Sequence, residues 1–183
     1  MLRSIIFAAV FYLNSAVFLI LGSPLLLGPR SWAMMGLKAH ALASLWWLKL
    51  ICGTRMEVRG RENLPKGGAL VVSKHQSAWD TFALIPLFRD PAMVMKAELM
   101  LIPFYGWFSY KFQHIFVKRA AGPMALRKMV RDAKDRIKIN REIVIFPEGT
   151  RTAPGAAPDY KSGVVALYEG LNAPCVPVAL NSG

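Results

Sequence analysis

The chain has 183 residues, of which 54% are apolar, and 23 lysines and arginines against 11 acidic residues give it a formal net charge of +12. This length is enough for one domain with a substantial core. The two cysteines, Cys52 and Cys175, form no Cys-x-x-Cys spacing, which argues against a cysteine metal site or disulfide framework and indicates free thiols in a reducing compartment. High apolar content beside high positive charge favours an anionic membrane surface over nucleic acid as a partner.

The N-terminal region is strongly apolar. No charge occurs between Arg3 and Arg30, and residues 5–27 are almost entirely hydrophobic, which is long enough to span a bilayer. The run is long for the apolar core of a signal peptide and no clear Ala-x-Ala site follows it. We therefore predict that this segment is retained.

A second apolar stretch, residues 31–52, carries only two charges, Lys38 and Lys49, and with the first stretch predicts a pair of helices. If the second helix spanned a bilayer, Lys38 would lie in hydrocarbon at a cost of about 2.5 to 3.5 kcal/mol. The two lysines are about three helical turns apart, so they share a face and are expected to reach toward headgroups. We therefore predict an anchor embedded in one leaflet over residues 1–53, with a pair of core helices packed on the domain as the alternative.

From residue 54 onward, short β-branched runs alternate with helical patterns. Strands are predicted at 54–60, 69–73, 92–95, 113–118 and 142–146, and helices at 80–88, 122–138 and 164–169. This alternation predicts an α/β fold over residues 54–183, with a central mixed, largely parallel sheet flanked by helices, following the N-terminal apolar two-helix membrane anchor.

The strand predicted at 69–73 ends just before a histidine, His75, and Asp80 follows it five residues later. Open α/β sheets place their chemistry beyond the carboxyl ends of strands. A carboxylate on one imidazole nitrogen fixes the tautomer and leaves the other nitrogen free to act as a general base. His75 and Asp80 are therefore the candidate catalytic pair, with a purely structural hydrogen bond as the alternative. Ser77 lies too close in sequence to be favoured as a nucleophile.

A second motif, Phe-Pro-Glu-Gly-Thr-Arg at residues 146–151, follows the apolar strand predicted at 142–146. This motif, together with His-x4-Asp in the same order, resembles the glycerolipid acyltransferase family. Two further blocks, at 96–107 and 176–178, are also similar, so that the resemblance covers about residues 54 to 180. The chain departs from the family pattern at Lys74, which stands where asparagine is common, and at Lys118, which precedes Arg119 where an acidic residue is usual.

The resemblance implies a 1-acyl-glycerol-3-phosphate acyltransferase that makes phosphatidic acid, with His75 as general base and Asp80 orienting it. It further implies substrate binding by six residues at strand ends: Lys96, Arg119, Glu148, Gly149, Thr150 and Arg151. The three cations among them would hold the acceptor phosphate. Glu148 would hydrogen-bond the acceptor or order its loop, and Gly149 would let the backbone approach a ligand.

The expected partners are a lysophospholipid acceptor, acyl-CoA or acyl carrier protein as donor, and the cytoplasmic face of the inner membrane; no cofactor, metal or nucleic acid is expected. Family members normally continue beyond this point, so the C-terminus is predicted to be truncated. Another lysolipid acceptor, such as a lyso-ornithine lipid, is an alternative, as is a non-catalytic basic scaffold on a membrane. The aromatic segment 104–108 predicts either core or an acyl-chain wall, and the basic helix 122–138 either a solvated face or one that docks a membrane or carrier.

Overall fold

A five-stranded parallel sheet forms the centre of the molecule in the computed structural model, which describes residues 2–182. Its strands, which lie in the order β3-β2-β4-β1-β5, are β1 (Ala69–Ser73), β2 (Ala92–Lys96), β3 (Ile115–Val117), β4 (Glu142–Ile145) and β5 (Cys175–Val178). Each pairing between neighbouring strands is parallel. The predicted α/β fold is confirmed.

The two central strands, β1 and β4, are short apolar runs because helices cover both faces of the sheet. Ala69 pairs with Glu142 and Val72 with Ile145 in the register that joins them. All four residues of β4 are buried, as expected for a strand covered on both faces. This arrangement brings the loops that follow β1 and β4 side by side at one edge of the sheet.

Within residues 2–182 the chain forms six α-helices. They are α1 (Leu2–Leu21), α2 (Arg30–Cys52), α3 (Trp79–Ala83), α4 (Tyr105–Lys111), α5 (Gly122–Lys138) and α6 (Ser162–Leu171). One face of the sheet packs against α5 and α6 through a cluster that includes Met129, Ala133 and Leu167. The opposite face packs against α2 and α3 through Ala41 and Phe82.

The first two helices form an antiparallel hairpin. Residues early in α1 meet residues late in α2: the Cys52 thiol contacts the Arg3 carbonyl, and the Ser15 hydroxyl lies 3.0 Å from His40 Nε2. Among the described residues, α1 is the one helix long and apolar enough to cross a membrane, with a mean hydropathy of 2.3, and none of its residues is buried by the rest of the chain.

The hairpin docks on the α/β domain through polar and aromatic contacts. Arg30 donates two hydrogen bonds of 2.6 Å to the Asp90 carboxylate, and Phe11 lies 5.1 Å from Phe82 between ring centroids. Lys38 donates to the Arg89 carbonyl at 2.8 Å. The Lys38 ammonium thus has a partner in the domain, and its reach toward headgroups stays a prediction.

Three local predictions need correction. Residues 54–60 form no strand, because their alternating side chains have no partner strand at either edge of the sheet. The strand predicted at 113–118 is shortened to β3, since Gln113 has a positive φ and His114 faces the core. The helix predicted at 80–88 divides into α3 and a 3₁₀ turn at Ile85–Leu87, where Pro86 interrupts it.

Candidate active site

The candidate site lies at the carboxyl edge of the sheet, where the loops after β1 and β4 meet. Because these strands are adjacent and parallel, the segment that begins at Lys74 faces the segment that begins at Phe146. The Thr152 N–H donates to the His75 carbonyl at 2.8 Å, and the Thr152 hydroxyl reaches the same oxygen at 3.2 Å. The two sequence motifs are therefore joined directly by hydrogen bonds.

His75 and Asp80 form the predicted pair. His75 Nδ1 lies 3.0 Å from Asp80 Oδ2, and the same oxygen accepts the N–H groups of Gln76 at 2.7 Å and Ser77 at 2.9 Å. The turn between strand and helix thus wraps around the carboxylate, which is completely buried. A proton on Nδ1 donates to Asp80 and leaves Nε2 unprotonated, as a general base requires.

The pKa of Asp80 reports this environment. Burial acts to raise it, but hydrogen bonds from His75, from Ser182 and from the Ser77 and Gln76 N–H groups outweigh burial, so the pKa of Asp80 lies below its ordinary value. The carboxylate is therefore ionised throughout the physiological range. A negative charge beside Nδ1 stabilises the imidazolium that forms when Nε2 takes a proton.

The imidazole of His75 is also held by an aromatic ring. Phe146 stacks on it with a centroid distance of 4.3 Å and an interplanar angle of 20°. Only 13% of the His75 side chain is exposed. The ring is consequently covered on one face by Phe146 and held at Nδ1 by Asp80.

Glu148 supports His75 from the neighbouring loop. Its Oε2 accepts the His75 backbone N–H at 3.2 Å, and its Oε1 lies 3.7 Å from the Lys74 ammonium. The side chain is 1% exposed, and Oε1 has no hydrogen-bond partner among the described residues. Glu148 therefore orders the loop around His75, which was one of its two predicted roles.

Arg119 reaches the same loop from the end of the edge strand β3. It follows β3, and its guanidinium donates to the Gly149 carbonyl. Gly149 has a φ of +66°, a conformation that favours glycine, and a side chain there would have to displace the Arg119 guanidinium. The structure thus brings Arg119 to the Phe-Pro-Glu-Gly-Thr-Arg loop.

The remaining predicted binding residues stand at this edge with free side chains. Lys96 ends β2, Thr150 and Arg151 belong to the loop after β4, and all three are exposed. Neither Lys96 nor Arg151 forms an ion pair within residues 2–182. The sheet topology places these cations at one edge, and the convergence on a phosphate stays a prediction.

Sequence reasoning missed several contributors. Lys74 was noted only as a departure, the Phe146 ring had no assigned role, and Ser182, whose hydroxyl donates to Asp80 Oδ1, carried no signal because it lies 102 positions away. Thr152 had one indirect signal, its position directly after the motif.

Ser77 directs its hydroxyl at Asp80 Oδ1, 3.5 Å away, which leaves it poorly placed as a nucleophile. No cluster of three or more metal-ligating side chains occurs in the described part of the chain.

Comparison with known proteins gives a consistent result. A family model described as acyltransferase matches residues 55–181. A 1-acyl-sn-glycerol-3-phosphate acyltransferase of Pseudomonas aeruginosa is 35% identical over 140 residues, which are 76% of this chain and 54% of that protein. An enzyme of the same name from Saccharomyces cerevisiae is 31% identical over 138 residues, which are 74% of this chain and 46% of that protein. The chain spans about half the length of these curated relatives.

A solved structure has the same fold. The crystal structure of the 1-acyl-sn-glycerophosphate acyltransferase of Thermotoga maritima superposes with a TM-score of 0.75 at 23% identity, over 95% of this chain and 72% of that one. This likeness concerns the architecture, including the order of helices and strands that positions the site.

Proposed function

Because the chain belongs to the acyltransferase family, we propose that it transfers a fatty acyl group from an acyl thioester to the free hydroxyl of 1-acyl-glycerol-3-phosphate, which yields phosphatidic acid. The observation that carries the proposal is the His75–Asp80 pair, 3.0 Å apart at the carboxyl edge of a parallel sheet, with Nε2 available. The names of relatives from bacteria and yeast support the same acceptor.

In the proposed reaction His75 Nε2 takes the proton of the acceptor hydroxyl while that oxygen attacks the thioester carbonyl. The tetrahedral intermediate collapses, the carbon–sulfur bond breaks, and the thiolate leaves and recovers the proton from His75. Asp80 balances the imidazolium between these two steps. General base catalysis of this kind contributes about 10² to 10⁴ in rate.

The oxyanion of the intermediate needs hydrogen-bond donors that are not already used. The N–H groups of Gln76 and Ser77 are engaged by Asp80, and that of Gly149 by the Phe146 carbonyl. Within residues 2–182 the N–H groups of Thr150 and Arg151 have no hydrogen-bond partner. We assign the oxyanion to these two donors. Each donor of this kind typically stabilises the transition state by about 3 kcal/mol.

The acceptor phosphate is assigned to Lys96, Arg119 and Arg151, which end or follow β2, β3 and β4 respectively. Arg119 is held by the Gly149 carbonyl and retains further N–H donors for a phosphate. The flexible Lys96 and Arg151 side chains would close on the ligand. No cofactor or metal is invoked for any of these steps.

The membrane side of the protein is assigned to the hairpin of α1 and α2. Large apolar side chains on both helices and on the turn between them are exposed, including Leu13 at 66%, Leu27 at 93% and Trp32 at 57%. Removing such surface from water is favourable by about 25 cal/mol per Å². We propose that the hairpin lies in the cytoplasmic leaflet of the inner membrane, where a lysophospholipid can enter the site without leaving the lipid phase.

The test measures thiol release from acyl-CoA and from acyl carrier protein by the protein in liposomes. Lysophosphatidic acid and its phosphate-free analogue are compared as acceptors for the wild type, His75→Ala and a control, His40→Gln, which lies in α2 away from the sheet edge. We expect release that requires the phosphate and falls about 10³-fold in His75→Ala, with the control unchanged.

Other outcomes separate the alternatives. Release that is indifferent to the phosphate would move the acceptor to another lysolipid. Release unaffected by His75→Ala would contradict the general-base role. A folded, liposome-bound protein with no release from either donor would favour a non-catalytic scaffold.

A further inference from the structure

A groove runs between α5 and α6 on the outer surface of the domain, with a volume of about 440 Å³. Its floor is apolar and its rim is basic, and the site described above uses none of its residues. The floor consists of Leu126, Val130 and Ala166, and the rim of Arg127, Arg131 and Lys134.

The rim carries positive charge that the protein itself does not neutralise. Arg127 and Lys134 are exposed and have no carboxylate within 4 Å among residues 2–182. Arg131 lies 3.7 Å from Asp132, but Lys128 already binds that carboxylate. An anionic partner would therefore gain favourable interactions without first breaking strong pairs.

The position of the groove relates it to the catalytic edge. Both helices begin at that edge: α5 follows Arg119, which contacts Gly149, and α6 follows Lys161, whose N–H donates to the Pro147 carbonyl at 2.9 Å. The two helices cover the sheet face opposite the one packed by α2. The groove thus leads to the catalytic edge on the side away from the apolar hairpin, where a soluble partner has access.

We propose that this groove binds an acidic amphipathic helix of the carrier protein that presents the acyl thioester. The apolar face of such a helix would cover Leu126 and Val130, while its carboxylates would meet Arg127 and Lys134. This inference rests on the proposed acyl transfer and selects its donor. Among the described residues, α5 and α6 expose three large apolar side chains, those of Met124, Val165 and Tyr168, whereas α1 and α2 on the opposite face expose thirteen. A membrane surface therefore suits the groove less well than it suits the hairpin.

The experiment compares two double charge reversals. Arg127→Glu with Lys134→Glu changes the rim. Arg61→Glu with Lys66→Glu, at exposed positions before β1 that form no ion pair within residues 2–182, makes the same change in net charge outside the groove. Each protein, in liposomes, is assayed with palmitoyl carrier protein and with palmitoyl-CoA, and binding of the purified carrier protein is measured by fluorescence anisotropy. Thermal unfolding checks that each variant is folded.

We expect the rim variant to raise KM for the carrier substrate and the Kd for the carrier protein by about 10-fold, with kcat and palmitoyl-CoA turnover unchanged and the control within about 2-fold. In the wild type both constants should rise with salt, because exposed charges are screened. Restoring affinity by replacing acidic residues of the carrier helix with lysine would support the pairing.

Several results would overturn the inference. The first is an equal loss of carrier affinity in the rim and control variants, and the second is an equal loss of turnover with both donors. The third is loss of liposome binding by the rim variant alone. The fourth is a wild type that turns over palmitoyl-CoA but does not bind the carrier protein. A wild type without turnover on either donor would contradict the proposed acyl transfer instead. The anisotropy measurement would then still decide whether the groove binds the carrier protein.

Discussion

An aspartate lies at each end of the parallel strands in different surroundings: Asp80 at the carboxyl edge is buried, whereas the Asp90 side chain at the opposite edge is 19% exposed. At the catalytic edge, Asp80 accepts hydrogen bonds from an imidazole, two backbone N–H groups and a hydroxyl. At the opposite edge, Asp90 faces two guanidinium groups, Arg30 at 2.6 Å and Arg141 at 3.3 Å. The first carboxylate keeps an uncompensated charge, whereas the second is neutralised.

This difference matches two different roles: we propose acyl transfer at the carboxyl edge, and the opposite edge attaches the hairpin to the domain. In the proposed reaction, the charge of Asp80 would stabilise the proton that His75 takes from the acceptor hydroxyl. At the other edge, Arg141 is completely buried and donates to the carbonyls of Asp90, Pro91 and Phe112 at 3.1, 3.2 and 2.9 Å. The Asp90 carboxylate also receives Arg30 at the start of α2, so this cluster joins the apolar hairpin to the domain.

The substitution with the largest expected effect on activity is Asp80→Asn. The amide preserves the shape but has no charge to balance the imidazolium, so we expect kcat to fall about 10³-fold. The unfolding free energy at neutral pH should change far less than that of a variant in the other cluster. Steady-state kinetics in liposomes and urea denaturation measure the two effects, and retained turnover would contradict the assigned role of Asp80.

The corresponding change at the opposite edge is Arg141→Met. It removes donors from at least three buried carbonyls and one cation from Asp90, so we expect a loss of about 3 kcal/mol in unfolding free energy. Once folded at low temperature, the variant should retain kcat, because no Arg141 contact reaches His75. Urea denaturation followed by tryptophan fluorescence measures the unfolding free energy. A loss below about 1 kcal/mol would contradict the stabilising role of Arg141.

A pH experiment distinguishes the edges further. Burial, reinforced by the charge of Arg141, lowers the pKa of His114 to about 3, and its Nδ1 accepts the Met93 N–H at 3.2 Å. Below the ordinary histidine pKa the unfolded chain binds a proton that the folded chain does not, so stability is lost as the pH falls from 6.5 toward 3.

His114→Asn keeps an acceptor for Met93 and removes this titration. Between pH 7 and pH 5 the wild type should lose about 2 kcal/mol more unfolding free energy than the variant. Burial also lowers the pKa of His40, but that contribution is common to both proteins and cancels in the difference. Parallel pH profiles of the two proteins would show that His114 does not carry the effect.

The smallest expected effect concerns the junction between hairpin and domain. Arg30→Gln removes a bidentate pair whose side chains are 28% and 19% exposed, so we expect a loss of about 1 kcal/mol. Hydrogen exchange should increase at the start of α2 and remain unchanged at β1. Arg55→Gln, in the segment without secondary structure, serves as the control, and equal exchange in both variants would contradict the docking role.

The motifs predicted which segments meet at the carboxyl edge of the sheet. His75, Asp80 and the loop from Glu148 to Arg151 were singled out because a strand end, a spaced carboxylate and a glycine-containing turn are local signals. Strands β1 to β4 were also predictable, since each lies in a short apolar run that a turn or loop follows, whereas β5 was marked only by a family-like block. The strand predicted at 54–60 was wrong because alternation alone does not provide a neighbouring strand.

The opposite edge was not predictable in the same way. Arg30, Asp90, His114 and Arg141 lie in four separate segments, and nothing in the pattern of any one segment indicates the others. Charged residues at such spacing are usually solvated, so burial of Arg141 depends on tertiary structure that composition does not encode. The contact of Lys38 with the Arg89 carbonyl was missed for the same reason.

The position of β1 between β4 and β5 also sets an order of folding events. The hairpin joins residues 25 to 49 positions apart, whereas His75 meets Glu148 across 73 positions and Asp80 meets Ser182 across 102. Contacts that close longer loops form more slowly. As the chain leaves the ribosome, the apolar hairpin can therefore form first, and His75 and Asp80 acquire Glu148 and Ser182 as partners only after those later segments have been synthesised.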